Sequence, residues 1–386
     1  MTSDELARLL DHLEHGRPSR ADLVTAISGI GTQAELDRLF SAADRVRKER
    51  IGDDVHLRGV IEFSNNCVQN CHYCGLRHDH RGLKRYRMEP VEIEAAALNG
   101  VKLGYRTIVL QSGSDLTCYV DTLALIIRRI KKVADVAITL SIGERTYEEY
   151  EALRQSGADR FLLKHETADP VLYDALHADT GSSSGAAAER ETRLRVPRSV
   201  PTGTRPNVVV PRATLQGRLQ CLFDLKRLGY QIGSGNMVGL PGQTAESLAD
   251  DIILLSELEV DMAGIGPFIP NPATPLGQAR RPELDDVLKI LALTRLVLKD
   301  VHLPATTALE TLAPGARRRA LQCGANVIMP NITPVQYRQY YEIYPDKACL
   351  AETPDTCREC VMSMLAGMGR GVPTDHGHSP RRTGGG

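Results

Sequence analysis

Apolar positions recur at three- and four-residue spacing over 5–13 and 34–46, with charged residues between them, which predicts amphipathic helices in the first fifty residues. From about residue 57 the pattern changes. Short apolar runs alternate with amphipathic stretches, and eight runs read as strands: 57–63, 107–111, 137–142, 160–164, 231–238, 262–268, 302–306 and 326–329. Segments such as 90–103, 121–131 and 146–155 have the length and periodicity of crossover helices. Eight strand–helix units predict an α/β chain folded as a closed (β/α)8 TIM barrel over 51–370, preceded by a helical extension over 1–50. Two stretches break the rhythm. Residues 181–211, rich in Ser, Gly, Ala, Pro and Arg, read as a flexible insertion, and the Gly-, Pro- and His-rich 371–386 as a disordered tail.

In such a barrel the active site is built on the carboxyl ends of the strands. Four predicted strands end in turn or polar residues: Ser64-Asn65-Asn66, Gln111-Ser112-Gly113, Ser141-Ile142-Gly143 and Lys164-His165-Glu166. Charge narrows the choice of partner. A formal net charge of -1 offers no electrostatic case for nucleic acid, and no apolar run is long enough to span a bilayer. The start, Met-Thr-Ser-Asp-Glu-Leu, lacks the basic-then-apolar pattern of a secretory signal, so the expected location is the cytoplasm.

The cysteines carry the chemistry. Nine in a chain with no export signal argue against a disulfide framework, and six fall into two tight groups, within 67–74 and 349–360. The first, Cys67-x3-Cys71-x2-Cys74, follows directly on the first predicted strand. Three thiolates on one short loop can hold three irons of a 4Fe–4S cube and leave the fourth open to an exogenous chelator. The rival reading is zinc, with His72 or His78 as a fourth ligand, although structural zinc sites usually come as paired knuckles. Around the loop, Gln111 and Ser112 precede a small turn, and Thr139 and Ser141 share one face of their strand. Glu166 offers a rim carboxylate, and Arg218 opens the helix before the fifth strand, where it could pair with a carboxylate.

The triad resembles that of the radical S-adenosylmethionine (SAM) superfamily, and the resemblance sharpens along the chain. Glu62-Phe-Ser-Asn-Asn-Cys-Val-Gln-Asn-Cys-His-Tyr-Cys-Gly-Leu-Arg77 and Leu83-Lys-Arg-Tyr-Arg-Met88 are similar to segments of the HydE family of FeFe-hydrogenase maturases. So are Thr107-Ile-Val-Leu-Gln-Ser-Gly113, His165-Glu-Thr-Ala168, Gly264-Ile-Gly-Pro-Phe-Ile-Pro270, Pro304-Ala-Thr-Thr-Ala308 and Cys323-Gly-Ala-Asn-Val-Ile-Met-Pro-Asn331. The resemblance covers roughly 55–370 apart from 181–211. It implies a barrel with a closed internal cavity, a 4Fe–4S cluster on Cys67, Cys71 and Cys74, and SAM on its open iron. It also implies reductive cleavage of SAM to a 5′-deoxyadenosyl radical, acting on an iron–cysteine precursor bearing CO and cyanide. That places the chain in assembly of the di-iron subsite of the hydrogenase active site, beside sister maturases and a reductant such as ferredoxin or flavodoxin.

By the same resemblance Tyr73 faces the adenine, and Ser141, Glu166 and Arg218 contact SAM. Arg160, Thr306, Thr307, Tyr341 and Tyr344 line the substrate cavity, with Met262 and Met329 as apolar walls. Lys164 stands where the family leads us to expect arginine, and the 181–211 insertion departs from compact members. The second group, Cys349-x7-Cys357-x2-Cys360, matches a spacing that in some relatives holds an accessory cluster; a second iron–sulfur cluster (2Fe–2S or 4Fe–4S) and free thiols are the two readings. The competing functions are a radical SAM amino-acid mutase such as methylornithine synthase, a biotin synthase, and a non-catalytic iron–sulfur metallochaperone.

Overall fold

The structure, a computed structural model, describes residues 1–118, 120–177 and 214–383; the predicted insertion at 181–211 lies outside the described residues. The chain opens with three helices, Ser3–His15, Arg20–Gly29 and Gln33–Ile51. Each starts on a reciprocal cap: Thr2, Ser19 and Thr32 accept from the backbone N–H three residues on, and Glu5, Asp22 and Glu35 reach back to the cap amide. The middle helix was not foreseen, because its buried residues Leu23, Ala26 and Ile27 form no sustained one-sided stripe. It packs against helix Ala245–Glu257, and the third helix packs against Leu284–Leu298, so the extension clasps the outside of the barrel.

Among the described residues nine strands follow: β1 His56–Ser64, β2 Thr107–Ser112, β3 Ala137–Ser141, β4 Arg160–Leu162, β5 Gln231–Ser234, β6 Met237–Val238, β7 Met262–Ala263, β8 Gly266–Pro267 and β9 Val327–Ile328. Seven of them form one parallel sheet in the order β7-β5-β4-β3-β2-β1-β9, and β6 pairs with β8 as an outer extension of two of the predicted strands. The edges meet through residues 302–304, where Met262 bridges His302 and Pro304 bridges Val327. These eight parallel positions make the expected (β/α)8 barrel. The predicted strand at 302–306 contributes only those bridges, as proline at 304 removes a ladder donor.

Period-two alternation decides what faces the lumen. Arg58 and Glu62 of β1, Thr107 and Gln111 of β2, Thr139 and Ser141 of β3, and Arg160 of β4 occupy alternate positions, with Val109 opposite Thr139 and Thr139 opposite Arg160. The lumen is therefore polar at both ends: Arg58, Thr107, Thr139 and Arg160 lie at the amino-terminal end, while Glu62, Gln111 and Ser141 lie at the carboxyl end.

The predicted disordered tail is the main departure from the sequence reading. Residues 371–381 run beneath the barrel and hydrogen bond to its lower rim, beginning with Val55 N–H donating to the Gly371 carbonyl at 2.9 Å. Composition suggested disorder because the segment has few apolar groups to bury. Its anchorage is polar instead: buried arginines and a glutamine of the barrel floor need acceptors, and the tail supplies them.

His56 at the start of β1 yields a prediction. Burial and then the Arg58 charge push its imidazole down to about 4, while an unfolded histidine titrates near 6.5. The unfolded chain thus binds the extra proton first, so this contribution is complete above about pH 6.5 and is lost as pH falls toward about 4. Between pH 7.5 and 5, His56→Gln should lose about 2 kcal/mol less stability than the parent, read from chemical unfolding midpoints. Equal pH slopes in the two proteins would refute the assignment.

Candidate active site at the carboxyl end of the barrel

β1 delivers the chain into Ser64-Asn65-Asn66 and then into the cysteine loop. Ser64 Oγ donates to Asp115 at 2.7 Å, and Arg87 clamps the same carboxylate through Nε and Nη2. Asn65 Nδ2 donates to the Lys84 and Tyr340 carbonyls, and Arg85 donates to the Asn65, Leu76 and Arg77 carbonyls. Backbone bonds finish the frame: Val68 to Ser114 at 3.0 Å, His72 to Leu176 at 2.9 Å and Gly75 to Ile343 at 2.8 Å. Two glycines are required by close approach. A Cβ on Gly113 would lie 2.3 Å from the Asn66 carbonyl and 2.9 Å from Cys67 Cβ, and one on Gly75 would lie 2.1 Å from the Glu342 carbonyl. The weak strand-end signal Gln-Ser-Gly thus has a specific cause.

All three cysteines of the loop are free thiols; Cys71 is buried and Cys67 and Cys74 are partly buried. Burial, followed by the neighbouring Cys67, pushes Cys71 up to about 12, and burial likewise raises Cys67 and Cys74. Three thiolates could ionise together here only against a compensating positive charge, which cluster iron provides. Among the described residues no three His, Cys, Asp or Glu side chains converge tightly enough for a single metal ion. His78, one proposed fourth ligand, is exposed and bonded to Asp79 instead. A cube, with a separate iron for each thiolate, suits the donor set.

The remaining predicted cofactor residues are placed unequally. Tyr73 is partly buried in an apolar patch with Leu172, Leu176, Leu240 and Phe268, its hydroxyl 3.2 Å from His177 Nε2. Glu166 sits beyond β4 with a left-handed φ of 67°, fixed by its N–H to the Gly235 carbonyl and its carbonyl to Met237 N–H. This is the strained conformation often kept at functional sites. Its Oε2 is 3.1 Å from Lys164 Nζ, yet that buried oxygen has no hydrogen-bond partner among the described residues. Arg218 is 7% exposed and donates from Nε and Nη2 to Glu144 Oε1 at 2.8 and 2.6 Å, and from Nη1 to the Lys164 carbonyl. Burial works to raise the Glu144 pKa, but the Arg218 charge and hydrogen bonds outweigh it and hold it low. Ser112 donates to the Gly113 carbonyl, and Ser141 is partly exposed at the carboxyl end. Thr139 does not join this set: it lies at the floor beside Arg160, its Oγ1 buried without a hydrogen-bond partner among the described residues.

The predicted substrate residues separate into two tiers. Below, Arg160, Met262 and Thr139 line a cavity of about 10 Å³, room for roughly one water, together with Arg58, Asp261 and His302. Above, Gln111 Nε2 donates to Tyr341 OH at 3.2 Å, and Lys347 pairs with Glu62 and lies 5.1 Å over the Tyr341 ring. Thr306 presents a buried Oγ1 with no hydrogen-bond partner among the described residues, and Thr307 begins the helix Thr307–Leu312. Burial and then the Glu62 charge push the Tyr344 hydroxyl well up, which places it near the same carboxylate, whereas Met329 is only partly buried after β9. Sequence reading missed Glu144, His177, Arg58 and Lys347. Two had a signal: Arg58 interrupts an apolar strand, and Glu144 follows Gly143 at a strand end.

The second cysteine group follows Lys347, and Arg338 Nη1 donates to the Cys349 carbonyl at 3.2 Å. Cys349, with φ 65°, and buried Cys357 share a hydrogen bond that brings Cys349 down to about 6 and raises Cys357, with Arg317 aiding the Cys349 thiolate. Cys360 is exposed on the helix Pro354–Ala366. No helix among the described residues is long and apolar enough to cross a membrane.

Comparison with known proteins gives the family. Residues 61–255 match the model of the radical SAM superfamily. The FeFe-hydrogenase maturase subunit HydE of Thermotoga maritima is 45% identical over 373 residues, 97% of each chain. A 3-methylornithine synthase of Methanosarcina acetivorans is 26% identical over 85% of this chain and 84% of its own. Among solved structures, methylornithine synthase aligns with a TM-score of 0.75 at 24% identity over 95% of this chain and 97% of that one, a likeness of fold. The maturase HydG of Carboxydothermus hydrogenoformans aligns at 0.72 and 21% over 95% and 78%, again a likeness of fold. With nearly half its residues shared with one relative along almost the whole length, and the thiol loop in place on β1, the chain belongs to the radical SAM superfamily and, within it, to the HydE family of FeFe-hydrogenase maturases.

Proposed function

We propose that this radical SAM enzyme acts in FeFe-hydrogenase maturation on an anionic iron–cysteine species carrying CO and cyanide. The observation that carries this reading is the pairing of a three-thiol loop at the mouth with a floor cavity walled by two buried guanidiniums and one carboxylate, Arg58, Arg160 and Asp261. Cys67, Cys71 and Cys74 hold the 4Fe–4S cluster, which when bound supplies the single electron for reductive cleavage of SAM. Glu166 orients SAM through its carboxylate at the left-handed turn, beside Lys164, and Arg218, held by Glu144, offers its remaining donor capacity to the SAM carboxylate. Tyr73 and its apolar neighbours exclude water from the adenine side.

The lumen between the tiers takes the substrate. Gln111, Thr306 and Tyr341 hold its upper end, and the floor supplies the positive charge. The cavity is narrower than such a guest, and Met262, whose unbranched thioether accepts from Arg58 Nη1 at 3.0 Å, is the wall that yields as the guest takes over that donor. The amino-acid mutase reading would need a carboxylate–ammonium clamp in the lumen, and the excess of cations over carboxylates at the floor disfavours it. Sister maturases supply the iron species, a ferredoxin or flavodoxin supplies electrons, and 1–50 serves as an outer clasp. Cys349, Cys357 and Cys360 hold an accessory iron–sulfur cluster outside the reaction path.

The test is anaerobic: reconstitute with iron and sulfide, reduce, and add SAM with the iron–cysteine product of a sister maturase. An adenosine-containing product bonded through sulfur, formed only with that iron species, supports the reading; release of free 5′-deoxyadenosine alone, whatever iron species is added, refutes the proposed substrate. Cys357→Ala should leave the rate of SAM cleavage within about twofold of the parent, since Cys357 stands on the helix Pro354–Ala366 and is not one of the three thiols of the loop after β1. A dead Cys357→Ala enzyme would show that group to be essential.

A further inference from the structure

The turn that carries Glu166 is fastened by a second carboxylate, Asp251, which stands fully enclosed on the helix Ala245–Glu257. Asp251 Oδ1 accepts from the Ala168 N–H at 2.5 Å and lies 3.4 Å from His165 Nε2, while Oδ2 accepts from Asn236 Nδ2 at 2.8 Å. These neighbours surround Glu166. His165 precedes it, Ala168 follows just after it, and Asn236 faces it across a parallel bridge beyond β4 and β5. The far edge of the His165 ring is anchored too: Nδ1 lies 3.0 Å from Ser234 Oγ, which donates to the Leu163 carbonyl at 3.0 Å.

A buried carboxylate is costly wherever apolar packing would serve, so one kept at full enclosure points to a demand that packing does not meet. The demand here is conformational. Glu166 holds a φ of 67°, a region that glycine and asparagine enter readily and glutamate does not. A residue persists there only where its surroundings over-determine it. Glu166 N–H donates to the Gly235 carbonyl and Met237 N–H donates to the Glu166 carbonyl, which fixes the residue itself. Asp251 fixes the residues that flank and face it. Relaxation to an ordinary negative φ would redirect the Glu166 side chain, which now reaches Lys164 Nζ at 3.1 Å.

We propose that Asp251 is a positioning residue of the cofactor site: by holding His165, Ala168 and Asn236 it keeps Glu166 in its left-handed conformation and aims that carboxylate into the mouth of the barrel. Fully enclosed, Asp251 acts on the cofactor only through Glu166. Its effect on SAM rests on the reading of Glu166 as a SAM contact; the anchoring of the turn does not.

The test titrates SAM into anaerobic, cluster-loaded holoenzyme and follows amide hydrogen exchange over residues 163–170. Asp251→Ala should weaken SAM about tenfold or more, as displacement of a binding group does, and Glu166→Ala should weaken it comparably. The two losses should not add: Asp251→Ala placed in a Glu166→Ala background should change affinity by less than about twofold, because the carboxylate that Asp251 aims is gone. Asp251→Asn should hold affinity within about threefold of the parent, since the amide oxygen keeps Ala168 and the amide nitrogen can meet Asn236 Oδ1, which has no hydrogen-bond partner among the described residues. Exchange at the turn should rise about tenfold in Asp251→Ala and stay near the parent's rate in Asp251→Asn. Asp250→Ala, which breaks only the exposed pair with Arg20 on the same helix, is the control and should bind SAM like the parent. Where Glu166→Ala is weakened, parent-like affinity in Asp251→Ala, additive losses in the double variant, or an equal loss in Asp250→Ala would each overturn the proposal. If Asp251→Ala does not fold, Asn236→Ala decides, since it removes one handle and leaves the others: a loss of about threefold that vanishes in the Glu166→Ala background upholds the proposal, and no loss or an additive one overturns it. Where Glu166→Ala binds SAM like the parent, the SAM reading of Glu166 falls and exchange alone decides: a faster turn in Asp251→Ala upholds the anchor, and an unchanged one overturns it.

Discussion

Cys71→Ala is expected to abolish reductive cleavage of SAM, a fall of at least about a thousandfold, with no loss of fold. The loop offers one thiolate to each of three irons of the cube, so removing one would leave two protein ligands and a cluster that does not persist through reduction. The fold should tolerate the change. The loop is held by Ser64, Asn65, Arg85 and Asp115 rather than by the thiol, and a buried cysteine behaves as a small apolar group whose truncation costs on the order of 1 kcal/mol. The measurements are iron content after reconstitution, the cluster's electron paramagnetic signal, and 5′-deoxyadenosine release. Cys323→Ala, buried elsewhere, is the matched control. Cleavage retained in Cys71→Ala would sink the assignment of the triad.

The second large effect concerns Glu144, which sequence reading passed over. Glu144→Ala leaves Arg218 buried without its carboxylate, and breaking such a pair on one side typically costs about 3–5 kcal/mol. If Arg218 receives the SAM carboxylate, its loss of aim should also raise KM for SAM by about ten- to a hundredfold, the worth of about one charge-assisted hydrogen bond. Glu144→Gln, which keeps one acceptor oxygen, should recover much of the stability and part of the affinity. A lower melting temperature with an unchanged KM would mean that the pair only braces the helix Leu215–Arg227 to the barrel, and Arg218 would lose its place at the cofactor.

The barrel was legible in the sequence because strand and crossover signals alternate from residue 57 onward, and the triad was legible because spacing on one short loop needs no tertiary information. What escaped depends on depth along a strand. Thr139 and Ser141 share a face, yet one stands at the floor and the other at the mouth, and period-two alternation cannot tell one from the other. Arg160 was assigned to the cavity by likeness, but its attachment to the tail could not be foreseen, since a polar Gly- and His-containing segment reads as disorder until its acceptors meet buried donors. Glu144 and His177 act through partners far along the chain, Arg218 and Tyr73, a pairing that one sequence without relatives does not disclose.

The ring closes when His56 pairs with Val327 and Leu57 with Ile328, strands separated by almost the whole barrel sequence. Contacts of such long range form slowly, and synthesis at about 5–20 residues per second delivers the closing strand well after the first. The floor comes later still, because residues 376–379 emerge after every strand. Until they dock, Arg58 and Arg160 face water from below, and the nascent barrel is open at its base. A fusion partner appended at the carboxyl end would hang directly under this last joint, so amino-terminal tags are the better choice for preparing active enzyme.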